Sequence, residues 1–329
     1  MTEHENNGTT RRDFLARAAK AAACIAAAGF AGWKFHDTKG PAAFDEPPQV
    51  SLPDFSIPDL APQLCVAHGS KRARSLTRAL EALGGMGAFV SQGDRVLLKV
   101  NAAFATPAML SATTHPDTVR ELTRLCFAAG AASVIVTDNP INDPQSCFEL
   151  TGIAAAAREA GATVELPRSD AFRPITLAGG TLIRNWPFLH GPFKGVNKLI
   201  GVTPVKDHDR SGASMTMKNW YGLLGGRRNV FHQEINEIIK ELALLVRPTL
   251  VVLDGTTTMM RNGPTGGSLA DLKQTDTMIV GTDQVAADAY GATLLGRRPS
   301  DLPYITMAAF AGAGTANYQL LNPIEINGT

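Results

Sequence analysis

Residues 95–101 read Arg-Val-Leu-Leu-Lys-Val-Asn, an apolar run of strand length that ends in polar side chains. The same pattern recurs at residues 133–138, Ser-Val-Ile-Val-Thr-Asp, and at residues 249–254, Thr-Leu-Val-Val-Leu-Asp. Near-continuous apolar runs of this length are typical of parallel strands that are covered on both faces of a sheet. The three stretches therefore predict the centre of an α/β domain.

Outward from these stretches, strand-length runs alternate with segments of helical periodicity. Strands are predicted at residues 64–67, 95–100, 133–137, 163–166, 198–202, 249–253 and 277–280, and helices at residues 75–83, 116–129, 151–160, 233–246, 284–295 and 302–311. This alternation predicts an α/β fold with a largely parallel central sheet and helices on both faces. No strong boundary divides residues 63–329, which are predicted to form a single domain.

The N-terminal segment has the pattern of a twin-arginine export signal. Arg11-Arg12 is followed by Phe14, Leu15 and an Ala-rich, weakly apolar run from Ala18 to Gly32. An arginine pair before a modest apolar stretch is what the twin-arginine translocase recognises. Residues 1–38 are therefore interpreted as the signal segment, with the translocase as a partner during export and a periplasmic or otherwise exported location. The apolar run falls short of the about 20 strongly apolar residues of a membrane helix, so no stable membrane span is expected.

Residues 39–62 are rich in Pro, Asp and Ser and show no sustained period. Such composition favours an extended chain over a helix or a paired strand. A Pro-rich linker is therefore predicted between the signal segment and the domain.

Composition excludes several classes of partner and cofactor. The chain has 329 residues and a formal net charge of +1, so it lacks the basic stripe of a nucleic-acid-binding protein. Beyond the signal segment the cysteines are Cys65, Cys126 and Cys147, with no Cys-x-x-Cys pair. Iron–sulfur clusters and structural zinc sites draw on closely spaced thiolates. No iron–sulfur cluster is expected, and Cys126 is interpreted as a small core residue.

Polar side chains recur at the carboxyl ends of the predicted strands. Asn101, Asp138 and Asp254 each end an apolar run, and Lys206 and His208 follow a fourth run. Parallel strands bring these ends to one edge of the sheet, where α/β proteins bind their ligands. Taken singly, each residue is explained as well by a turn or a cap. Their recurrence favours a shared ligand site.

Two further histidines lie at predicted helix starts. His115 precedes Pro116, which places it at the N-cap of a helix whose first N–H groups suit an anion. A structural cap is the alternative for His115. His232 lies three residues before the apolar stripe that begins at Ile235, so it is either a core histidine or a site residue.

A cation-rich segment precedes that stripe. Residues 215–228 read Met-Thr-Met-Lys-Asn-Trp-Tyr-Gly-Leu-Leu-Gly-Gly-Arg-Arg. Lys218, Asn219 and Arg228 are side chains that hold carboxylates or phosphates. The glycine pair lacks the Gly-Lys-Ser/Thr ending of a phosphate-binding P-loop, so that interpretation fails.

In this order along the chain, the motifs resemble the family called domain of unknown function 362, from about Arg95 to about Gly314. The motifs are Lys99-x-Asn101, Thr114-His115-Pro116, Asp138, Lys206-x-His208, Lys218-Asn219-x-x-Gly222, Arg247-Pro248 followed by Asp254, Gly263-Pro264-x-Gly266, and Asp283 with Asp288. The family has no generally assigned activity. Many members carry ferredoxin-like cysteine clusters beside this domain, which implies redox roles, and this chain departs from them by lacking those cysteines.

The leading expectation is an exported enzyme that performs acid–base or redox-linked chemistry on a small anionic ligand. The catalytic candidates are His115, His208, His232 and Lys206, and the ligand-binding candidates are Lys99, Asn101, Asp138, Lys218, Asn219, Arg228 and Asp254. One alternative is a non-catalytic ligand- or metal-binding protein that uses the histidines and carboxylates. Another is an accessory factor for an exported complex. The identities of the reaction, the substrate and any cofactor or metal stay open.

Overall fold

The computed structural model describes residues 10–34 and 48–328, which belong to two compact units. Residues 1–9 and 35–47, which hold both ends of the predicted signal segment and the first part of the predicted linker, lie outside the described residues.

The first unit contains helix α1 (Arg11–Lys34), which Thr10 and Asp13 cap reciprocally. Its 24 residues span about 36 Å, more than the Ala-rich run alone, because the helix includes the flanking residues. The mean hydropathy over an 18-residue stretch of this helix is 1.4. The helix is therefore long and apolar enough to cross a membrane. A signal sequence near an N-terminus meets the same criteria.

The second unit begins at Pro48, so its start differs from the predicted boundary at residue 63. Phe55 is 3% exposed and lies in the core. Its N–H donates to Arg247 O at 3.0 Å, and its carbonyl accepts a hydrogen bond from Thr249 Oγ1 at 2.7 Å. Because this apolar side chain and its backbone are both tied to the domain, residues 48–62 form a packed strap rather than a free linker.

Within residues 48–328 a nine-stranded sheet forms the centre, with a separate two-stranded sheet beside it. The strands are β1 (Leu64–His68), β2 (Arg95–Lys99), β3 (Ser133–Thr137), β4 (Thr163–Glu165), β5 (Phe172–Ile175), β6 (Trp186–Leu189), β7 (Lys198–His208), β8 (Gly212–Ser214), β9 (Leu250–Met259), β10 (Leu272–Gly281) and β11 (Ile324–Asn327). The helices are α2 (Arg72–Ala82), α3 (Pro116–Ala128), α4 (Pro144–Leu150), α5 (Ile153–Glu159), α6 (Thr216–Asn219), α7 (Ile235–Leu245), α8 (Gln284–Leu294) and α9 (Pro303–Phe310).

The sheet is largely parallel, as predicted. Its order is β11-β1-β10-β9-β7-β2-β3-β4, with β8 paired to β7. The run from β9 to β4 is parallel throughout, whereas β10 is antiparallel to both of its neighbours. The parallel half carries the polar strand ends that the sequence singles out.

Two of these strands continue beyond their predicted ends. β7 runs past Val202 to His208, and Lys206 pairs with Ser214 of β8 and with Met259 of the extended β9. Pairing on both sides satisfies the backbone N–H and C=O groups of this polar extension, so polar side chains do not end the strand. Lys206 and His208 therefore lie within a strand, not in the loop after it.

Helices cover both faces of the sheet, also as predicted. Side chains that alternate along one strand enter different cores. Leu97 belongs to the cluster that includes residues of α7, α8 and α9, whereas Val96 and Leu98 belong to the cluster that includes residues of α2, α3 and α5. Cys126 is fully buried on the second face. The predicted role of this thiol as a core residue is confirmed.

Candidate functional site

A cavity of about 80 Å³ lies where β2, β3 and β7 meet helix α6 and the loop that follows it. It brings together all of the predicted site residues except His115 and Asp254. Those lining it are Lys99, Asn101, Asp138, Lys206, His208, Lys218, Asn219, Arg228 and His232. Residues from five separate segments of the chain thus converge, as expected for the carboxyl edge of a parallel sheet.

Lys99 and Asp138 form a buried ion pair at one wall of the cavity. Lys99 Nζ lies 2.7 Å from Asp138 Oδ1, and the two side chains are 1% and 2% exposed. The same ammonium donates to Val100 O at 2.8 Å and to Asn219 Oδ1 at 2.9 Å. Burial lowers the pKa of Lys99, and the Asp138 carboxylate opposes that shift. Three acceptors match the three N–H bonds of an ammonium, so the contacts of Lys99 suit its charged form.

The Lys99–Asp138 ion pair explains the asparagine at position 219 and the glycine at position 222. Asn219 accepts from Lys99 Nζ through its oxygen and donates through its nitrogen to Lys99 O at 3.1 Å. Gly222 passes so close that a Cβ there would lie 2.1 Å from Asp138 Oδ1. Only glycine leaves room for the ion pair at this position, since any other residue carries a Cβ.

Lys206 is also buried, at 1% exposure, but its partners differ from those of Lys99. Its Nζ donates to Ala112 O at 2.5 Å and to Asn101 Oδ1 at 3.4 Å, and it lies 5.2 Å from the centroid of the Phe104 ring. Burial, reinforced by the neighbouring Lys218, lowers the pKa of Lys206 to about 7. The ammonium of Lys206 therefore loses its proton more readily than that of a solvent-exposed lysine.

Like Lys206, the cavity residues Lys218 and Arg228 have no carboxylate within ion-pair distance in residues 10–34 and 48–328. Lys218 Nζ makes no hydrogen bond there and lies 5.1 Å from the centroid of the Tyr221 ring. Arg228 donates to backbone carbonyls, including Leu224 O at 3.1 Å and Asn139 O at 2.8 Å. Burial lowers the pKa of both, that of Lys218 to about 8. The cavity consequently carries excess positive charge.

The two histidines of the cavity are neutral. His208 Nδ1 accepts from the N–H groups of Arg210 and Ser211 at 3.2 and 3.3 Å, so the ring proton resides on Nε2. Burial, with Lys218 nearby, lowers the pKa of His208 to about 2. Burial likewise lowers the pKa of His232, whose ring stacks on His208 with centroids 6.2 Å apart. His208 is thus a fixed hydrogen-bond donor rather than a cation.

Asp288 anchors the helix that presents Lys218. Its Oδ1 accepts the Thr216 N–H at 2.7 Å, and its Oδ2 accepts the Met217 N–H at 3.2 Å, both at the start of α6. Burial raises the pKa of Asp288 to about 7. Asp283 caps α8 through the Val285 N–H at 2.8 Å. These acidic residues of the motif series support the site without lining it.

His115 and Asp254 lie outside the cavity, which corrects the expectation of one shared crevice. His115 caps α3 as predicted, with Nδ1 accepting the Asp117 N–H at 3.2 Å, and lines a different cavity. Asp254 binds Arg72 Nε at 3.1 Å and Thr118 Oγ1 at 2.9 Å. Asp254 lies outside the cavity because it is part of β9 and forms an ion pair with Arg72 of α2. The spacing of the strands in the sequence does not predict this contact.

Several lining residues are absent from the predicted set. Tyr221 donates its hydroxyl hydrogen to Arg228 O, and its ring lies under Lys218. Asn139, Phe104 and Ser214 also line the cavity. Tyr221 lies inside the cation-rich segment, and Asn139 directly follows Asp138. Their adjacency to predicted site residues in the sequence could have identified both as lining residues.

A metal site receives no support from the described part of the chain. No group of three or more His, Cys, Asp or Glu side chains within residues 10–34 and 48–328 is arranged to hold a metal ion. The histidines of the cavity have lysines and an arginine around them, and cations repel a metal ion.

Comparison with known proteins gives relatives of different kinds. A thylakoid-associated protein of Synechocystis sp. is 27% identical over 243 residues, which cover 71% of this chain and 73% of that protein. The lactate racemase apoprotein of Thermoanaerobacterium thermosaccharolyticum is 13% identical with a TM-score of 0.39, covering 78% of this chain and 62% of that one. A crystal structure of a protein from Thermotoga maritima is 11% identical with a TM-score of 0.33, covering 73% and 58%. The chain thus spans about three-fifths of the length of each of these two structures.

A family match covers most of the domain. It extends over residues 96–293, from β2 to the end of α8, and so includes every residue that lines the 80 Å³ cavity. This chain belongs to the family described as domain of unknown function DUF362.

Proposed function

We propose that the cavity binds a small anion, a carboxylate or an oxyanion, and that the chain is an exported enzyme performing acid–base chemistry on it. One observation carries the proposal: Lys218 and Arg228 face the cavity with no carboxylate partner among the described residues. Partly buried cations are costly unless a counter-charge pairs with them. A bound anion supplies that counter-charge.

The nearby carboxylates form no ion pair with these two cations, although Asp209 attracts Lys218 from a longer distance. Asp138 is already engaged by Lys99 at 2.7 Å and by the Ala102 N–H at 2.7 Å. His208 adds an Nε2–H donor rather than an acceptor, since its Nδ1 is occupied by backbone N–H groups. The free hydrogen-bonding groups of the cavity are therefore mainly donors, which favours an anion over a cation.

The size of the cavity limits the anion. A volume of about 80 Å³ is small, since sites for drug-sized ligands occupy about 300–1,000 Å³. This size favours phosphate-sized oxyanions and short carboxylates over a nucleotide or a long-chain acid. The apolar rings of Phe104 and Tyr221 at the walls favour a carboxylate that carries a short apolar group.

Acid–base chemistry is supported by groups that change charge near neutral pH. The pKa of Lys206 is lowered to about 7 and that of Lys218 to about 8, chiefly by burial. A general acid or base is most effective when its pKa lies near the working pH. Lys206 is the better candidate, because its pKa is lowered further than that of Lys218.

Export through the twin-arginine route belongs to the same proposal. Arg11-Arg12 opens α1, whose apolar composition is that of a signal sequence or an anchor. The relative from Synechocystis is described as thylakoid-associated, which is consistent with a chain that is exported or membrane-associated.

Thermal-shift titration tests the anion site. Propanoate, phosphate and a divalent metal salt are titrated against the wild type, Lys218→Ala and the control Lys194→Ala, in which an exposed lysine is removed. Loss of one charge-assisted hydrogen bond costs about 1.5–3 kcal/mol, so Lys218→Ala is expected to weaken anion binding by roughly 10- to 150-fold. The control should bind as the wild type does. Stabilisation by metal alone, equal in all three proteins, contradicts the proposal.

A further inference from the structure

The two buried lysines of the cavity are held in different ways. Lys99 has three acceptors, one of them the Asp138 carboxylate, and this set of contacts matches an ammonium. Lys206 has two acceptors among the described residues, Ala112 O and Asn101 Oδ1, and both are neutral. Two acceptors match the two N–H bonds of an uncharged amine and leave its lone pair without a partner.

The surroundings of Lys206 favour the uncharged form as well. Its side chain is 1% exposed, so the ammonium form would be almost completely removed from water. Lys218 and Lys99 repel a positive charge on Lys206, and Asp138, which attracts one, is engaged by Lys99. A lysine that is desolvated beside other cations is an activated nucleophile.

The same cavity also holds the groups that would orient a substrate. Lys218 and Arg228 lack carboxylate partners and lie within cation–π distance of one aromatic ring, that of Tyr221, at 5.1 and 5.9 Å. A carboxylate bound between them would direct the rest of a short molecule into the same 80 Å³ that Lys206 lines.

We propose that Lys206 is the nucleophile of this site and forms a Schiff base with the carbonyl group of a short 2-oxo acid. This inference rests on the proposed anion site and names its substrate class. The Nζ lone pair attacks the carbonyl carbon to give a carbinolamine. The carbon–oxygen bond then breaks, and the oxygen leaves as water with the two hydrogens of the amine. The product is an imine, and no other reactant is consumed.

Reductive trapping tests the covalent step. The full chain is incubated with pyruvate and cyanoborohydride, and the products are followed by intact mass and peptide mapping. Cleavage after acidic residues separates the two candidate lysines, because Asp207 and Asp209 lie between Lys206 and Lys218. We expect one adduct per chain, at Lys206, equal to pyruvate minus one oxygen. Its rate should rise between pH 6 and pH 8 as the Lys206 amine loses its proton.

Matched controls make the outcome specific. Lys206→Met should abolish the adduct and Lys194→Ala should retain it, while excess propanoate, which has the carboxylate but no carbonyl, should slow its formation. If Lys206→Met fails to fold, peptide mapping of the wild type still locates the label.

Three outcomes overturn the inference. Labelling spread over exposed lysines at equal rates shows that Lys206 has no special reactivity. Thermal stabilisation by both pyruvate and propanoate without any adduct removes the Schiff base but leaves the anion site standing. Absence of both stabilisation and adduct removes the two proposals together.

Discussion

A methyl group at Gly222 would collide with the buried ion pair of the site. A Cβ there would lie 2.1 Å from Asp138 Oδ1 and 2.6 Å from Lys99 Nζ. Neither atom moves freely, because Oδ1 accepts the Asn139 N–H at 2.9 Å and Nζ donates to Val100 O at 2.8 Å. Gly222→Ala must therefore separate the two charges or displace the backbone that carries the glycine.

The cost follows from the burial of the pair, whose side chains are 1% and 2% exposed. Breaking a buried ion pair costs about 3–5 kcal/mol, since each charge is left without compensation away from water. We expect Gly222→Ala to lower the free energy of unfolding by that amount in urea denaturation. Gly87→Ala is the matched control, because Gly87 is exposed and a Cβ there meets no atom within 4 Å. A loss below about 1 kcal/mol for Gly222→Ala would refute the reasoning.

Three further predictions concern Lys206, Thr216 and the Arg11-Arg12 pair. In the folded chain burial lowers the pKa of Lys206 to about 7, so between pH 7 and pH 10 the unfolded chain binds more protons at this residue. The free energy of unfolding should therefore rise with pH over that range. Lys206→Met should flatten this slope. Thr216→Val removes the hydroxyl that donates to Asp288 Oδ1 and should lower the free energy of unfolding by about 1–3 kcal/mol in denaturant titration, because the carboxylate loses a buried donor. Replacing Arg11 and Arg12 with lysines should keep the protein in the cytoplasm on cell fractionation, since the translocase recognises the guanidinium pair; unchanged export would show that the signal is misread.

The fold was predictable where burial dictates the sequence. Strands such as β2 and β3 are covered on both faces, so their apolar runs mark them directly. The extension of β7 to His208 was not predictable from such runs, because its polar residues are satisfied by pairing with β8 and β9. The antiparallel position of β10 depends on long-range pairing, which local pattern does not encode.

The candidate site was predictable in its residue types and only partly in its grouping. Lys206 and Lys218 were identified from position and charge, and the cavity does bring them together. Asp254 instead forms an ion pair with Arg72, which belongs to a helix far away in sequence. Phe104 carries no chemical signature of a site, and its place beside Lys206 emerges only when the chain is folded.

Anomalous diffraction from crystals soaked in selenate tests the central claim most directly, because the oxyanion is small enough for the cavity and its selenium reports its own position. The anion-site account predicts an anomalous peak inside the cavity, within hydrogen-bonding distance of Lys218 Nζ and the Arg228 guanidinium. The peak should be lost in Lys218→Ala crystals. Selenate bound at surface sites with none in the cavity would contradict the account.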